Sequence, residues 1–293
     1  MVAQTRHVVN QPNGLFRQQY RPTPRMATAH WSFMISGLVD LPLPLSYKDL
    51  LALHAVEQAC TLACIGHTPG GTAIGHARWY GVPIRALMDD MSIQPGAGHA
   101  HLHAADGYAT SVELPQFSNA LLAYKLNDEP LPPEHGYPVR LIVPGLYGYK
   151  MPKWIQRVVL ADQPLDGLWE KRGWSPSGQV QTTSAILGPR HRATISGVTT
   201  LHGYAFAGDR AITSVEVSID DGPWMPVPFT QNQAQEWALW STDWSPATPG
   251  DHRIQVRATD ATGWVQQDST ANAFPNGSSA IHSIVVHMQE PQR

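Results

Sequence analysis

The chain is short of cysteine, of charge and of long apolar runs, and each shortage closes off a class of protein. Its 293 residues hold two cysteines, Cys60 and Cys64, too few for a disulfide-stapled scaffold. A pair four apart bridges only with special backbone geometry, so both are expected as thiols, one buried and one chemical. Charged residues make up 15% of the chain and the formal net charge is -3, which leaves no footprint for nucleic acid or a membrane surface. No apolar stretch approaches the ~20 residues of a membrane helix. Met1 to Pro24 is polar throughout, so no signal peptide or twin-arginine signal is expected, and the compartment, periplasmic or cytoplasmic, stays open. A Cys-x-x-Cys-His haem site is missing as well.

What is present is a loop-rich globular composition with ten Trp and enough length for two domains, each with its own core. Residues 1–28, rich in Gln, Arg and Pro, read as an extended arm. Residues 29–175 mix strand and helix signals. Strands are expected at Trp31–Val39, Thr61–Ile65, Ala100–Ala104, Tyr108–Glu113, Val139–Val143 and Trp154–Leu160. Short helices are expected after the Ser46–Asp49 cap, over Ile84–Met88 and around Asn119–Tyr124. Gly173–Gly178 is a linker by composition. Beyond it, over 182–293, only strand signals appear: Val215, Val217 and Ile219 alternate with polar residues before an Asp221-Gly222 turn. The expected fold is an α+β domain followed by an immunoglobulin-like β-sandwich.

Three clusters compete for the chemistry. Cys64 lies between an apolar stretch and the Gly-rich Thr68-Pro69-Gly70-Gly71; it reads either as a core thiol or as a soft metal ligand. A protein-only zinc site needs three or four ligands, so a metal on Cys64 implies a cofactor that supplies the rest. His135-Gly136-Tyr137-Pro138-Val139-Arg140 and the later Lys150 and Lys153 put cations at the ends of an apolar strand. They suit an anionic phosphate or, equally, an ordinary solvated strand end. His99, His101 and His103 share one face of a strand, mainly as a polar face and less readily as a zinc or nickel site.

The order of the segments resembles the sulfite oxidase family of molybdenum enzymes, most closely its bacterial members, over nearly the whole chain. The resemblance runs through Gly37-Leu38-Val39, the Cys64 loop, Ala77-Arg78-Trp79, Asn127 to Pro132, His135 to Arg140 and Val143-Pro144-Gly145 through Lys153-Trp154. It continues at Trp244, Pro249-Gly250, Val256 to Asp260 and Pro275-Asn276-Gly277. It implies a molybdenum-molybdopterin cofactor, a pyranopterin dithiolene, with Cys64 as the protein ligand to the metal. His135 and Arg140 match residues that hold the pterin and its phosphate, and Lys150 to Lys153 the adjoining strip. His67, three residues after Cys64 in its loop, would be a cofactor contact, Arg17 matches an arm arginine near the metal, and Trp79 would line the pocket. The second domain matches a dimerisation domain, so a homodimer is implied, with an external electron carrier such as a cytochrome.

The chain also departs from that pattern. Where sulfite-oxidising members carry an extra arginine after the ligand cysteine, this chain has His67-Thr68-Pro69-Gly70-Gly71, with His67 where Asn is usual. Gln19 stands where a cofactor-binding His is common, and Lys171-Arg172-Gly173-Trp174 lacks a pocket tyrosine. Losing an arginine from an anion pocket removes a charge-assisted bond worth ~1.5–3 kcal/mol, which Arg172 or His67 would have to replace. A small sulfur oxyanion such as sulfite is the expected substrate, with a sulfoxide as the alternative. Outside this class stand a cofactor-free binding module and, further off, a zinc hydrolase on the His99 cluster.

Overall fold

Twenty-five prolines and 24 glycines cut the chain into short elements, and the computed structural model is accordingly built mainly of sheet. It describes residues 15–89, 91–267 and 272–289; the first half of the expected arm, residues 1–14, lies outside them. Among the described residues the three α-helices are only five or six residues long, and none is long and apolar enough to cross a membrane. The chain divides into two compact units. The first runs up to Cys64 and resumes over Ala73–Gln179; the second takes Ile65–Thr72 and the chain from Val180 onward.

In chain order the first unit comprises β1 (Ser32–Gly37), β2 (Leu43–Ser46), α1 (Tyr47–Ala52), β3 (Val56–Ala63), β4 (Ile74–Pro83), α2 (Ile84–Met88), β5 (His99–Ala104), β6 (Ala109–Glu113), α3 (Leu114–Ser118), β7 (Leu121–Leu126), β8 (Glu129–Pro130), β9 (Arg140–Ile142) and β10 (Ile155–Ala161). One sheet has the order β2-β1-β10-β5-β6, with β1 and β10 parallel. The other has the order β3-β4-β7-β8, and β9 adds to β7. Phe33, Ile35, Trp79, Leu122, Leu141 and Val158 are wholly or almost wholly buried in the core of this unit. The Ser46–Asp49 capping box opens α1 as its sequence requires.

Two expectations need correcting. Asn119–Tyr124 is not a helix. The helix α3 comes earlier, where Pro115 fits the first turn and Glu113 and Gln116 cap each other. The apolar run Leu121–Leu126 is instead a strand, hydrogen-bonded to β4 on one side and to β8 and β9 on the other. Period alone does not separate a short buried helix from a buried strand. The strand expected at Thr61–Ile65 starts five residues earlier, at Val56, and stops at Ala63, which leaves Cys64 just past its end.

The second unit comprises β11 (Thr183–Gly188), β12 (Thr194–Ile195), β13 (Thr199–Phe206), β14 (Ile212–Ile219), β15 (Met225–Pro226), β16 (Phe229–Thr230), β17 (Ala238–Trp244), β18 (Gly250–Asp260) and β19 (His282–Met288). They form a sheet of order β11-β13-β17-β16 and another of order β12-β19-β18-β14-β15. Leu201, Ala205 and Trp240 from the one and Val215, Val217, Ile254, Val256 and Val286 from the other bury into a common core.

Candidate functional site

Short backbone bonds bring the cations of the first unit together. All three residues of β9 are buried, as a strand of Leu and Ile flanked by Val139 and Val143 should be. The chain leaves it, turns through Gly148–Lys150 and comes back, so that Leu141 N donates to Pro152 O and Ile155 N to Val139 O. That return sets Lys153 beside Arg140. A left-handed Gly136 makes the approach possible: its φ is +114°, and a β-carbon there would stand 2.8 Å from Arg140 Cβ and 3.3 Å from Lys153 Cβ.

The result is a compact cationic cluster. The Arg140 guanidinium is buried, donates from Nη1 to His135 O at 3.1 Å and from Nη2 to Met151 O at 3.5 Å, and lies 5.0 Å above the centre of the Trp79 ring. Lys153 Nζ donates to Glu134 O at 2.8 Å and sits over the Trp154 ring. Arg17 pairs with the Glu134 carboxylate at 3.1 Å. Burial first, and then Arg140, Lys153 and Arg17, hold the His135 imidazole down to about 4, against the pull of Glu134. Burial and then Arg140 push Lys153 down to about 7. Arg140 is lowered to about 10 by burial.

Three buried polar atoms in this cluster meet no partner among the described residues, His135 Nε2, Arg140 Nε and Nε1 of the Trp79 ring beneath it. A buried donor left unmatched costs about 1–3 kcal/mol. Three cations and these unmatched atoms around one carboxylate form a cradle for a group that is anionic and rich in hydrogen-bonding edges. Cys64 is half-buried at the end of β3, its N–H bonded to Ala73 O at 2.9 Å. A β-carbon at Gly148 would stand 3.6 Å from Ala63 O and 3.8 Å from Phe16 Cζ. The residue before Cys64, the residue before Arg17 and the turn before Lys153 therefore meet. Cys60 is a buried thiol in the core.

Three of the expected site residues have other surroundings. Trp79 is 0% exposed and packs in the core beneath Arg140, so it walls no open pocket; the alternation of β4 turns its ring inward. Lys150 is as deeply buried, and its ammonium donates to Glu170 Oε1 at 2.6 Å, Ser111 O at 2.8 Å and Thr110 Oγ1 at 3.3 Å. Its three protons are spent inside the unit. His67 belongs to the second unit, where Nε2 meets the Tyr204 hydroxyl at 2.9 Å; burial and then His282 hold it down to about 4. The three histidines of β5 occupy its half-buried face, opposite buried Ala100, Leu102 and Ala104. One of them, His101, is bonded to Gln163 O, and among the described residues no three His, Cys, Asp or Glu side chains are grouped to hold a metal. Sequence reasoning missed Glu134 and Glu170; the acidic residue just before the His135 motif was a signal for the first, and nothing marked the second.

Residues 20–169 match the family model described as "Oxidoreductase molybdopterin binding domain", and residues 176–288 that described as "Mo-co oxidoreductase dimerisation domain". The mitochondrial sulfite oxidase of Drosophila melanogaster is 29% identical over 93% of the chain, which spans only 56% of that protein's length. The uncharacterized oxidoreductase YuiH of Bacillus subtilis (strain 168) is 33% identical over 50% of the chain and 74% of its own length. The sulfane dehydrogenase SoxCD from Paracoccus pantotrophus superposes with a TM-score of 0.81 over 97% of the chain and 84% of its own, at 22% identity. It shares the fold.

Proposed function

Since the chain belongs to the sulfite oxidase family of molybdopterin-dependent oxidoreductases, we propose that it transfers an oxygen atom to or from a small sulfur compound at a molybdenum held by Cys64. The observation that carries this reading is the cradle at β9: buried Arg140 and His135, each with an unmatched polar atom, at the strand end that leads round to Gly148 and the Ala63–Cys64 corner. Those residues fit a phosphate-bearing pterin. Bound there, the cofactor would supply a two-electron metal centre for oxygen-atom transfer.

The chain's own groups then divide the work. The Cys64 thiolate is the protein ligand to the metal. Arg140 and Lys153 would hold the phosphate, and His135, neutral at working pH, would offer its unmatched Nε2, a donor or an acceptor according to tautomer, to the pterin edge. Trp79 is the platform over which the Arg140 guanidinium is held. Arg17, half-exposed, faces the substrate. We read the first unit as α+β and the second as an immunoglobulin-like sandwich that forms the homodimer. The electrons would pass to or from an external carrier such as a cytochrome.

Sulfite is the first substrate to try, and one observation favours a neutral sulfoxide as the second. Arg17 is already paired with Glu134, and no arginine follows Cys64 in its loop, which leaves less positive charge for an oxyanion. The deciding experiment is elemental analysis of protein made in a host that supplies the cofactor, beside Cys64→Ser. About one molybdenum per chain, with oxygen-atom transfer lost in the variant, is the expected outcome. Protein without molybdenum, and without pterin fluorescence after denaturation, would sink the enzyme reading and leave a binding module.

A further inference from the structure

Glu170 belongs to no motif, yet it is the counter-ion of the most deeply buried lysine in the chain. The Glu170 and Lys150 side chains are 2% and 1% exposed, and the Thr110 hydroxyl closes the triangle by donating to Glu170 Oε1 at 2.5 Å. A buried ion pair is weak ground for stability, because apolar residues of similar volume often serve as well or better. The second oxygen, Glu170 Oε2, meets no donor among the described residues, so stability alone explains this pair poorly. Its position explains it better.

Lys150 closes the 3-10 turn Gly148–Lys150. The next carbonyl, Met151 O, accepts from Arg140 Nη2, while the turn's first residue abuts Ala63, the neighbour of Cys64. The same turn is stitched to the segment after Glu170. Tyr147 N donates to Gly178 O at 2.8 Å, the Tyr149 hydroxyl donates to Ser175 O, and Gly178 leaves no room for a β-carbon, which would come within 2.6 Å of Lys150 Cγ. We propose that Glu170 is a positioning residue: through Lys150 it fixes the 148–151 turn, and through that turn the Arg140 guanidinium and the Cys64 corner. This rests on the reading of Arg140 and Cys64 as the cofactor's holders.

The test uses Glu170→Gln, Glu170→Asp and the double variant Lys150→Met/Glu170→Met. Cofactor-free protein is assayed for melting temperature, for sulfate binding by calorimetry, and for the rate of Cys64 alkylation followed on its own peptide. Molybdenum content is measured separately after expression in a competent host. Glu170→Gln should weaken sulfate binding by roughly tenfold, the worth of one charge-assisted bond, and change the Cys64 rate; Glu170→Asp should recover part of both. The double variant removes both charges, so it should fold even if a single variant does not. It should melt near the wild type while its sulfate affinity and Cys64 rate stay altered. Wild-type values of both in the folded double variant would overturn the proposal and leave an ordinary buried pair. So would a wild-type chain that takes up no sulfate. A wild type that binds sulfate but takes up no molybdenum would count against the cofactor reading alone, since the sulfate and thiol assays still decide the role of Glu170.

Discussion

Lys153 is pushed down to about 7, by burial first and by the neighbouring Arg140 second, so its charge is in play at working pH. An anion in the cradle favours the ammonium and raises that value. Below about 7 the lysine is already charged and binding takes up no proton. Above it the lysine is neutral, each binding event must bring a proton, and affinity should fall by up to about tenfold per pH unit until the bound-state value is passed. His135, held to about 4, is neutral across this window and adds no slope. Sulfate does not titrate there, so calorimetry of the cofactor-free protein between pH 6 and 9 reads the effect directly. Lys153→Met should bind weakly and without slope; a slope that survives the substitution would place the proton elsewhere. The cations themselves were legible in the sequence, because Arg140 and Lys153 flank an apolar strand and a Gly-rich turn. Their partners were not. Glu170 is 20 residues from Lys150 in the polar run Glu170-Lys171-Arg172, where only the tertiary fold says which of the three charges turns inward. Trp79 shows the same limit: an aromatic in a strand can line a cavity or fill a core, and only the side of β4 that carries the sheet's packing decides.

Among the elements, the return from β9 to β10 does most to shape the cradle, and Gly136 is where a single methyl group tests it. At φ +114° an alanine is outside the comfortable regions for L-residues, and its β-carbon would press on Arg140 Cβ at 2.8 Å. Gly136→Ala should lower stability by at least about 1–2 kcal/mol. It should also reduce molybdenum content more than melting temperature alone explains, because Arg140 and Lys153 move apart. Calorimetric melting of the cofactor-free protein together with elemental analysis of the loaded protein checks this. An unchanged metal content at reduced stability would mean that the cradle tolerates the shift. The glycine was visible in the motif, and so were most neighbouring elements: α2 runs over Ile84–Met88 as the sequence requires, and β5 and β10 lie within a residue of expectation. Leu121–Leu126 was not legible as a strand. Six residues of mixed apolar character carry no decisive period, and the run becomes sheet because β4, β8 and β9 supply its hydrogen bonds.

Across the molecule, composition separates contiguous stretches, and so a change of character shortly before Val180 can be read off, though Gly173–Gly178 itself belongs to the first unit, while the assignment of Ile65–Thr72 to the second unit cannot. That loop leaves β3 at Cys64 and rejoins β4, and its membership depends on contacts such as His67 with Tyr204, whose partners are 137 residues apart. The second unit has an acid-sensitive anchor of its own. Burial of Asp260 opposes its ionisation, but hydrogen bonds from Thr182, Thr262 and Arg210 outweigh it and hold the carboxyl well below the usual carboxylate range. The unfolded chain binds this proton near pH ~4, the folded one only at much lower pH. The contribution of Asp260 is therefore complete above about 4 and lost progressively as pH falls below it. Asp260→Asn should be less stable than the wild type at pH 7, since Arg210 then loses its counter-ion and Thr182 and Thr262 their charged acceptor. It should also decline less between pH 5 and 3. Thermal unfolding at several pH values, with amide exchange on β18 to assign the change to the second unit, measures both. Parallel acid declines in the two proteins would show that other carboxylates govern the acid limit and that Asp260 is a local tie of the strand end.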